Sequence, residues 1–124
     1  MNVLTSLTEL DALNSPLQNS VSIYVPSTIS INQHFENTET VQDILMEMSQ
    51  IFGGCTATES AGCWATKNKG LVTESITICK SFCDDSVLKG NLNLIIEICK
   101  GLCNDLKQEA VSLEVNGNLY FVTG

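Results

Sequence analysis

Six cysteines, one histidine and fourteen carboxylates are the side chains from which this 124-residue sequence could build chemistry. Ile78-Cys79-Lys80 with Cys83 is echoed by Ile98-Cys99-Lys100 with Cys103, superficially four thiolates for zinc. Structural zinc sites more often take each ligand pair from a tight knuckle. Here the first pair falls on a stretch of strand periodicity and the second on the core stripe of a helix, so no metal is expected and the thiols read as reduced, packed apolar groups. His34 stands in a polar loop with no nucleophile, base or orienting group to pair with it. Glu74, on an otherwise apolar strand face, is the conspicuous carboxylate for hydrolysis; its plainer role is to accept hydrogen bonds from Lys80 or loop backbone. No catalytic residue is expected, and the chain reads as a binder and not an enzyme.

The binding candidates are better supplied. Trp64, Phe82 and Tyr24 each fall at or near a strand end, where a ring can close a pocket, and stacking on a nucleobase contributes about 1–3 kcal/mol per base. Packing in the core or at an interface is the plainer fate of any one of them. Thr56, Thr58, Lys80 and Asn91 keep them company with hydrogen-bond donors that add no negative charge. Tyr24, Thr56, Thr58, Trp64, Lys80, Phe82 and Asn91 are therefore the candidate ligand-binding residues, with no cofactor.

The elements that must position these residues follow from periodicity. Val21, Ile23 and Val25 alternate with Ser22 and Tyr24 as a strand closed by Pro26. Asn37 or Thr38 can cap a helix whose apolar stripe is Val41, Ile44, Leu45, Met48, Ile51 and Phe52, ended by Gly53-Gly54. A strand pair turns at Lys67 to Gly70. In its second strand Val72, Ile76 and Ile78 share a face with Glu74, Lys80 and Phe82, while Thr73, Ser75, Thr77, Cys79 and Ser81 form a row of small side chains suited to water, a ligand or another sheet. A second helix is expected to start near Asn91 and to carry Leu92, Ile96, Cys99, Cys103 and Leu106 on one stripe, widened by Ile95 and Leu102. Asn116-Gly117 joins a closing hairpin. The order is β-α-β-β-α-β-β, an α+β fold with two helices on a small antiparallel or mixed sheet.

Residues 1–20 read as an N-terminal extension, with Val3, Leu4, Leu7, Leu10 and Leu13 at helical spacing, and 21–124 as a single ligand-binding domain. A net charge of −8 without arginine argues against DNA or RNA, since backbone binding needs a basic face to release counterions. No apolar run suits a membrane span, and Glu9 and Asp11 do not suit a secretory signal, so a cytoplasmic protein is expected. The leucine stripe and the small-residue strand face together lead to an expected homo-oligomer.

One set of residues resembles a family. Ile23-Tyr24-Val25-Pro26-Ser27-Thr28, Phe52-Gly53-Gly54-Cys55-Thr56-Ala57-Thr58, Gly62-Cys63-Trp64, Gly70-Leu71-Val72-Thr73-Glu74 and Glu114-Val115-Asn116-Gly117 resemble, in order, the phage Thoeris anti-defence sponge proteins. The resemblance implies a non-enzymatic counter-defence protein, working in the bacterial host cell, that sequesters a cyclic ADP-ribose isomer uncleaved and so blocks TIR-based immunity. It also implies assembly as a homodimer or hexamer and, in some relatives, binding of cyclic oligonucleotides. An enzyme that cleaves the same nucleotide and an acidic inhibitor of a defence protein are the alternatives.

Overall fold

The structure, a computed structural model, describes residues 13, 15–29, 33–34 and 36–124. The leucine stripe expected of the leader falls outside these residues except for Leu13, which is exposed. Along the chain run β1 (Asn19–Pro26), β2 (Thr28–Ile29), β3 (Gln33–His34), α1 (Thr38–Phe52), β4 (Thr56–Thr66), β5 (Gly70–Cys83), α2 (Asp85–Asp105), β6 (Val111–Val115) and β7 (Asn118–Val122). Five strands form one antiparallel sheet in the order β4-β5-β1-β6-β7, and the expected α+β fold is the one observed. The segment read as a polar loop holds the two-residue strands β2 and β3, paired with each other. Without them and β7, the arrangement is the split β-α-β unit repeated twice, in which each helix returns the chain to the same face of the sheet.

Alternation in β1 sends Val21, Ile23 and Val25 to the helix side, where all three are fully buried. Their partners across the ladder, Ser81, Cys79 and Thr77, must share that face because opposed residues in a pleated sheet point the same way. The faces of β5 are therefore the reverse of the expected ones. The small-residue row from Thr77 to Ser81 is covered by α1, while Ile76, Ile78 and Phe82 lie on the side that no helix among the described residues covers. Small side chains let α1 sit close to β5, with Val41, Ile44 and Met48 buried from its stripe. Cys79, Cys99 and Cys103 fill the core beside Ile95 and Leu102.

The second helix begins six residues before Asn91. Asp84 is its N-cap: the carboxylate accepts the Val87 N–H at 2.9 Å and the Ser86 hydroxyl at 3.0 Å. These bonds, the Val87 N–H foremost, hold its pKa below the ordinary carboxylate value. A carboxyl group depressed on folding adds stability above its unfolded-state value, about pH 4, and the contribution is lost as pH falls through the folded value. Asp84→Ala should therefore melt below the wild type at neutral pH, and the gap should be smaller at a pH well below about 4. Thermal melts at the two pH values check this; a gap independent of pH would mean the charge of Asp84 is idle.

All six cysteines are free thiols. Burial pushes Cys79 and Cys99 up to about 12, and a neighbouring thiol, the half-buried Cys55 beside the first and the buried Cys103 beside the second, adds to the rise. Since the thiolate is the reactive species, native protein should release one fast-reacting thiol, the exposed Cys63, and the buried thiols only on unfolding. Thiol titration with and without denaturant, read by peptide mass, checks the assignment; early labelling of Cys79 or Cys99 would contradict it.

Candidate functional site

The hairpin of β4 and β5 outruns the sheet. The last pair between β1 and β5 is Pro26 with Ile76, so residues 61–75 have no third strand beside them. The chain leaving β1 is tied down at that point. The Ser27 hydroxyl donates to the Ser75 carbonyl at 2.6 Å, the Thr28 hydroxyl to a Glu74 carboxylate oxygen at 2.7 Å, and Gln108 Nε2 to the Thr28 carbonyl at 2.8 Å. Glu74 thus takes a hydroxyl partner from the loop after β1.

Between this corner and the start of α1 lies a hollow of about 390 Å³ lined by Ser27, Glu36, Asn37, Glu59, Ser60, Ser75, Ile76 and Thr77. Its size is within the range of small-molecule sites. Glu59 stands across the ladder from Thr77, and Glu36 accepts from the Thr38 hydroxyl at the helix start. The Asn37 side chain makes no capping bond and donates to the Pro26 carbonyl at 3.4 Å instead, so α1 opens on the hollow with its first amides uncapped by a side chain. Two carboxylates and several hydroxyls give the hollow a negative, hydrogen-bonding wall. It suits a cation that carries sugar hydroxyls.

Two further hollows differ in character. One of about 280 Å³ gathers Thr56, Lys80 and Phe82 with Leu17, Phe52, Gly53, Gly54 and Ser81. Gly53 ends α1 in the left-handed conformation at φ 87°, the Ser81 hydroxyl donates to the Gly54 carbonyl at 2.6 Å, and the Lys80 ammonium lies 5.1 Å from the Phe82 ring centre. The other, about 480 Å³, runs between α2 and the last hairpin and is walled by Leu92, Ile96, Leu113, Val115, Tyr120 and Val122, with Lys100 at its side.

Of the candidate binding residues, Tyr24, Thr56, Thr58, Trp64, Lys80 and Phe82 share the helix-free face of the sheet. Thr56, Lys80 and Phe82 meet in one hollow. Trp64 lies eight residues along β4 from Thr56, about 26 Å at strand rise. Asn91 is in the second layer, inside α2, where its amide donates to the Val87 carbonyl at 2.8 Å. The expected helix start there is corrected by the Asp84 cap. Glu36, Asn37, Glu59, Ser75 and Thr77 were not among the candidates; Glu59, alone among small residues in Thr56-Ala57-Thr58-Glu59-Ser60-Ala61-Gly62, was the one visible signal.

No family model matches the chain, and no curated protein sequence matches it. Two solved structures do share its fold. A phage SAM lyase in complex with S-methyl-5′-thioadenosine superposes with a TM-score of 0.63 at 21% identity, covering 96% of this chain and 97% of that one. A phage SAM lyase in its apo state gives 0.62 at 21% identity, covering 90% and 96%. The fold is shared with an enzyme. That overturns the expectation of a non-enzymatic chain, which rested on the lack of a nucleophile and base in the sequence: a lyase is built on this architecture over almost its whole length. The architecture is one that phage carry, and among the described residues no helix is long and apolar enough to cross a membrane.

Proposed function

We propose that this chain is a phage counter-defence enzyme of the lyase class that splits S-adenosylmethionine in the host cytoplasm and releases S-methyl-5′-thioadenosine. The observation that carries the reading is the near full-length likeness to a lyase holding that thioadenosine. The acid- and hydroxyl-lined hollow beside α1 supports it, because the substrate is a cation with a ribose. Consuming it removes the methyl donor from every host enzyme that depends on it.

The chemistry explains why no catalytic constellation stands out. The substrate contains its own nucleophile. Its carboxylate oxygen attacks Cγ of the methionine chain, the Cγ–S bond breaks with its electron pair going to sulfur, and neutral thioadenosine leaves. The other product is homoserine lactone, which keeps the ammonium. No proton moves, so no general base is needed. What remains for the protein is to fold the substrate so that the tethered oxygen meets Cγ in line with the Cγ–S bond, a near-attack geometry.

Charge assigns the roles. The sulfonium loses its charge in the transition state, so a carboxylate beside sulfur would hold the ground state more tightly than the transition state. The ammonium keeps its charge throughout. Glu59 and Glu36 therefore bind the ammonium, and Ser75, Thr77 and Asn37 take the sugar hydroxyls. Capture of a cyclic ADP-ribose isomer meets the opposite balance, since its two phosphate charges face a chain of net charge −8 without arginine. The hollows with a cation for it are those beside Lys80 and beside Lys100.

Decarboxylated S-adenosylmethionine separates the steps, because it keeps the sulfonium and adenosine but lacks the attacking oxygen. Incubation of each compound with the protein, followed by mass spectrometry, should give thioadenosine from the first and none from the decarboxylated form. Cleavage of both would overturn the internal-carboxylate route, and cleavage of neither would overturn the lyase.

A further inference from the structure

The apolar hollow between α2 and the closing hairpin has no part in the proposed reaction. Its walls follow from register. Leu113 lies across the ladder from the fully buried Ile23, so it points to the helix side, and Tyr120 and Val122 of β7, opposite Leu113 and Val111, point the same way. Facing them, Leu92, Ile96 and Lys100 recur every four residues along one side of α2. Ile95, Cys99 and Leu102 press the neighbouring side of the helix into the core, and between the first row and the hairpin about 480 Å³ stays open.

The two ends of this slot differ. The short connection from α2 to β6 brings the chain straight back, and Gly124 lies against the Asn104 side chain, so Lys100 shares one end with Val122 and Thr123 while Leu92 stands at the other with Val115. The Lys100 ammonium is 3.6 Å from a Glu97 carboxylate oxygen, but both side chains are largely in water. An exposed pair of that kind contributes little and leaves the ammonium available to a second anion. Leu92 and Tyr120, 37% and 52% exposed, still show apolar surface to solvent inside the slot.

We propose that the slot binds a free medium-chain carboxylate, its alkyl chain between the α2 row and the hairpin and its head at Lys100. Charge selects the head: the described lining residues hold one cation, at one end, and no acidic side chain, on a chain whose net charge is −8. Length selects the body. Leu92 and Lys100 are about 12 Å apart at helical rise, the reach of a medium acyl chain and too short for a peptide helix of several turns. An alkyl chain laid there takes Leu92 and Tyr120 out of water together with its own methylenes. The site is separate from the hollow beside α1, so it stands whether or not the chain is a lyase.

Methyl-detected nuclear magnetic resonance of the full chain tests this, with decanoate below its micelle concentration as the probe. The methyl signals of Leu92, Ile96, Leu113, Val115 and Val122 should move together and saturate at one decanoate per chain, with a Kd on the order of 100 μM. Hexanoate should bind at least about tenfold more weakly, since each buried methylene adds to the binding energy. Lys100→Gln keeps a good helix former and removes the charge; it should melt as wild type does and weaken decanoate about threefold to tenfold. Decyltrimethylammonium, with the same chain and the opposite charge, should leave these signals in place at the same concentration. No shift of these methyls at millimolar decanoate, wild-type affinity in Lys100→Gln, or equal shifts from the cation and the carboxylate would each overturn the proposal.

Discussion

Ile23→Ala is expected to remove about 2–5 kcal/mol of unfolding free energy, the cost of a large-to-small change in a packed core. Ile23 is fully buried in the middle strand of the sheet, opposite Cys79 on one side and Leu113 on the other. Neither neighbour can collapse into the gap without breaking a ladder on its far side, so a cavity remains. Since whole domains of this size are stable by about 5–15 kcal/mol, the variant should lose a large share of its stability. Urea unfolding followed by circular dichroism gives the number. A loss under about 1 kcal/mol would mean that the sheet centre repacks freely, against the close-packed core described here.

Glu59→Gln is expected to lower kcat/KM for thioadenosine release by about tenfold to a hundredfold while leaving the melting temperature unchanged. A hydrogen bond to a charged group is worth about 1.5–3 kcal/mol, which converts to that range. The carboxylate is exposed at the hollow, so its replacement should not disturb packing. Because the ammonium is equally charged in the bound substrate and in the transition state, the loss should fall on KM more than on kcat. Steady-state kinetics with the product quantified by chromatography decide it. Unchanged kinetics would move the site away from the start of α1.

Much of the fold was legible because its signals are local. Strict alternation marked Val21, Ile23 and Val25, the helical repeat marked Val41, Ile44 and Met48, and Asn116-Gly117 marked the last hairpin; both turn residues have the positive φ, 53° and 83°, that such a turn requires. Met46, the one large apolar residue off the first helical stripe, is exposed as its position demanded. The start of α2 was hidden because Ser86 and Gly90 look like loop residues, and the signal that overrides them is the single carboxylate of Asp84.

Alternation also says which residues of a strand share a face, and nothing about which face the helices cover. In β5 the row with Cys79 and Ser81 is small enough for α1 to close over it, so the apolar row with Ile78 and Phe82 was left outside. The candidate hollow was harder still to read. Ser27, Glu36, Glu59 and Ser75 come from four segments and meet only because the loop after β1 is bonded to the hairpin. Under the proposed lyase reaction the nucleophile belongs to the substrate, which would leave no base or nucleophile to find in a chain with one histidine.

The central claim, that the chain is a lyase for S-adenosylmethionine, is tested most directly by a time course of wild-type protein with an excess of that compound, the products being counted by mass spectrometry. The account predicts many molecules of S-methyl-5′-thioadenosine per chain, matched one for one by homoserine lactone. Recovery of the substrate intact after prolonged incubation, or a cyclic ADP-ribose isomer held uncleaved at one molecule per site in a parallel reaction while S-adenosylmethionine is untouched, would contradict it.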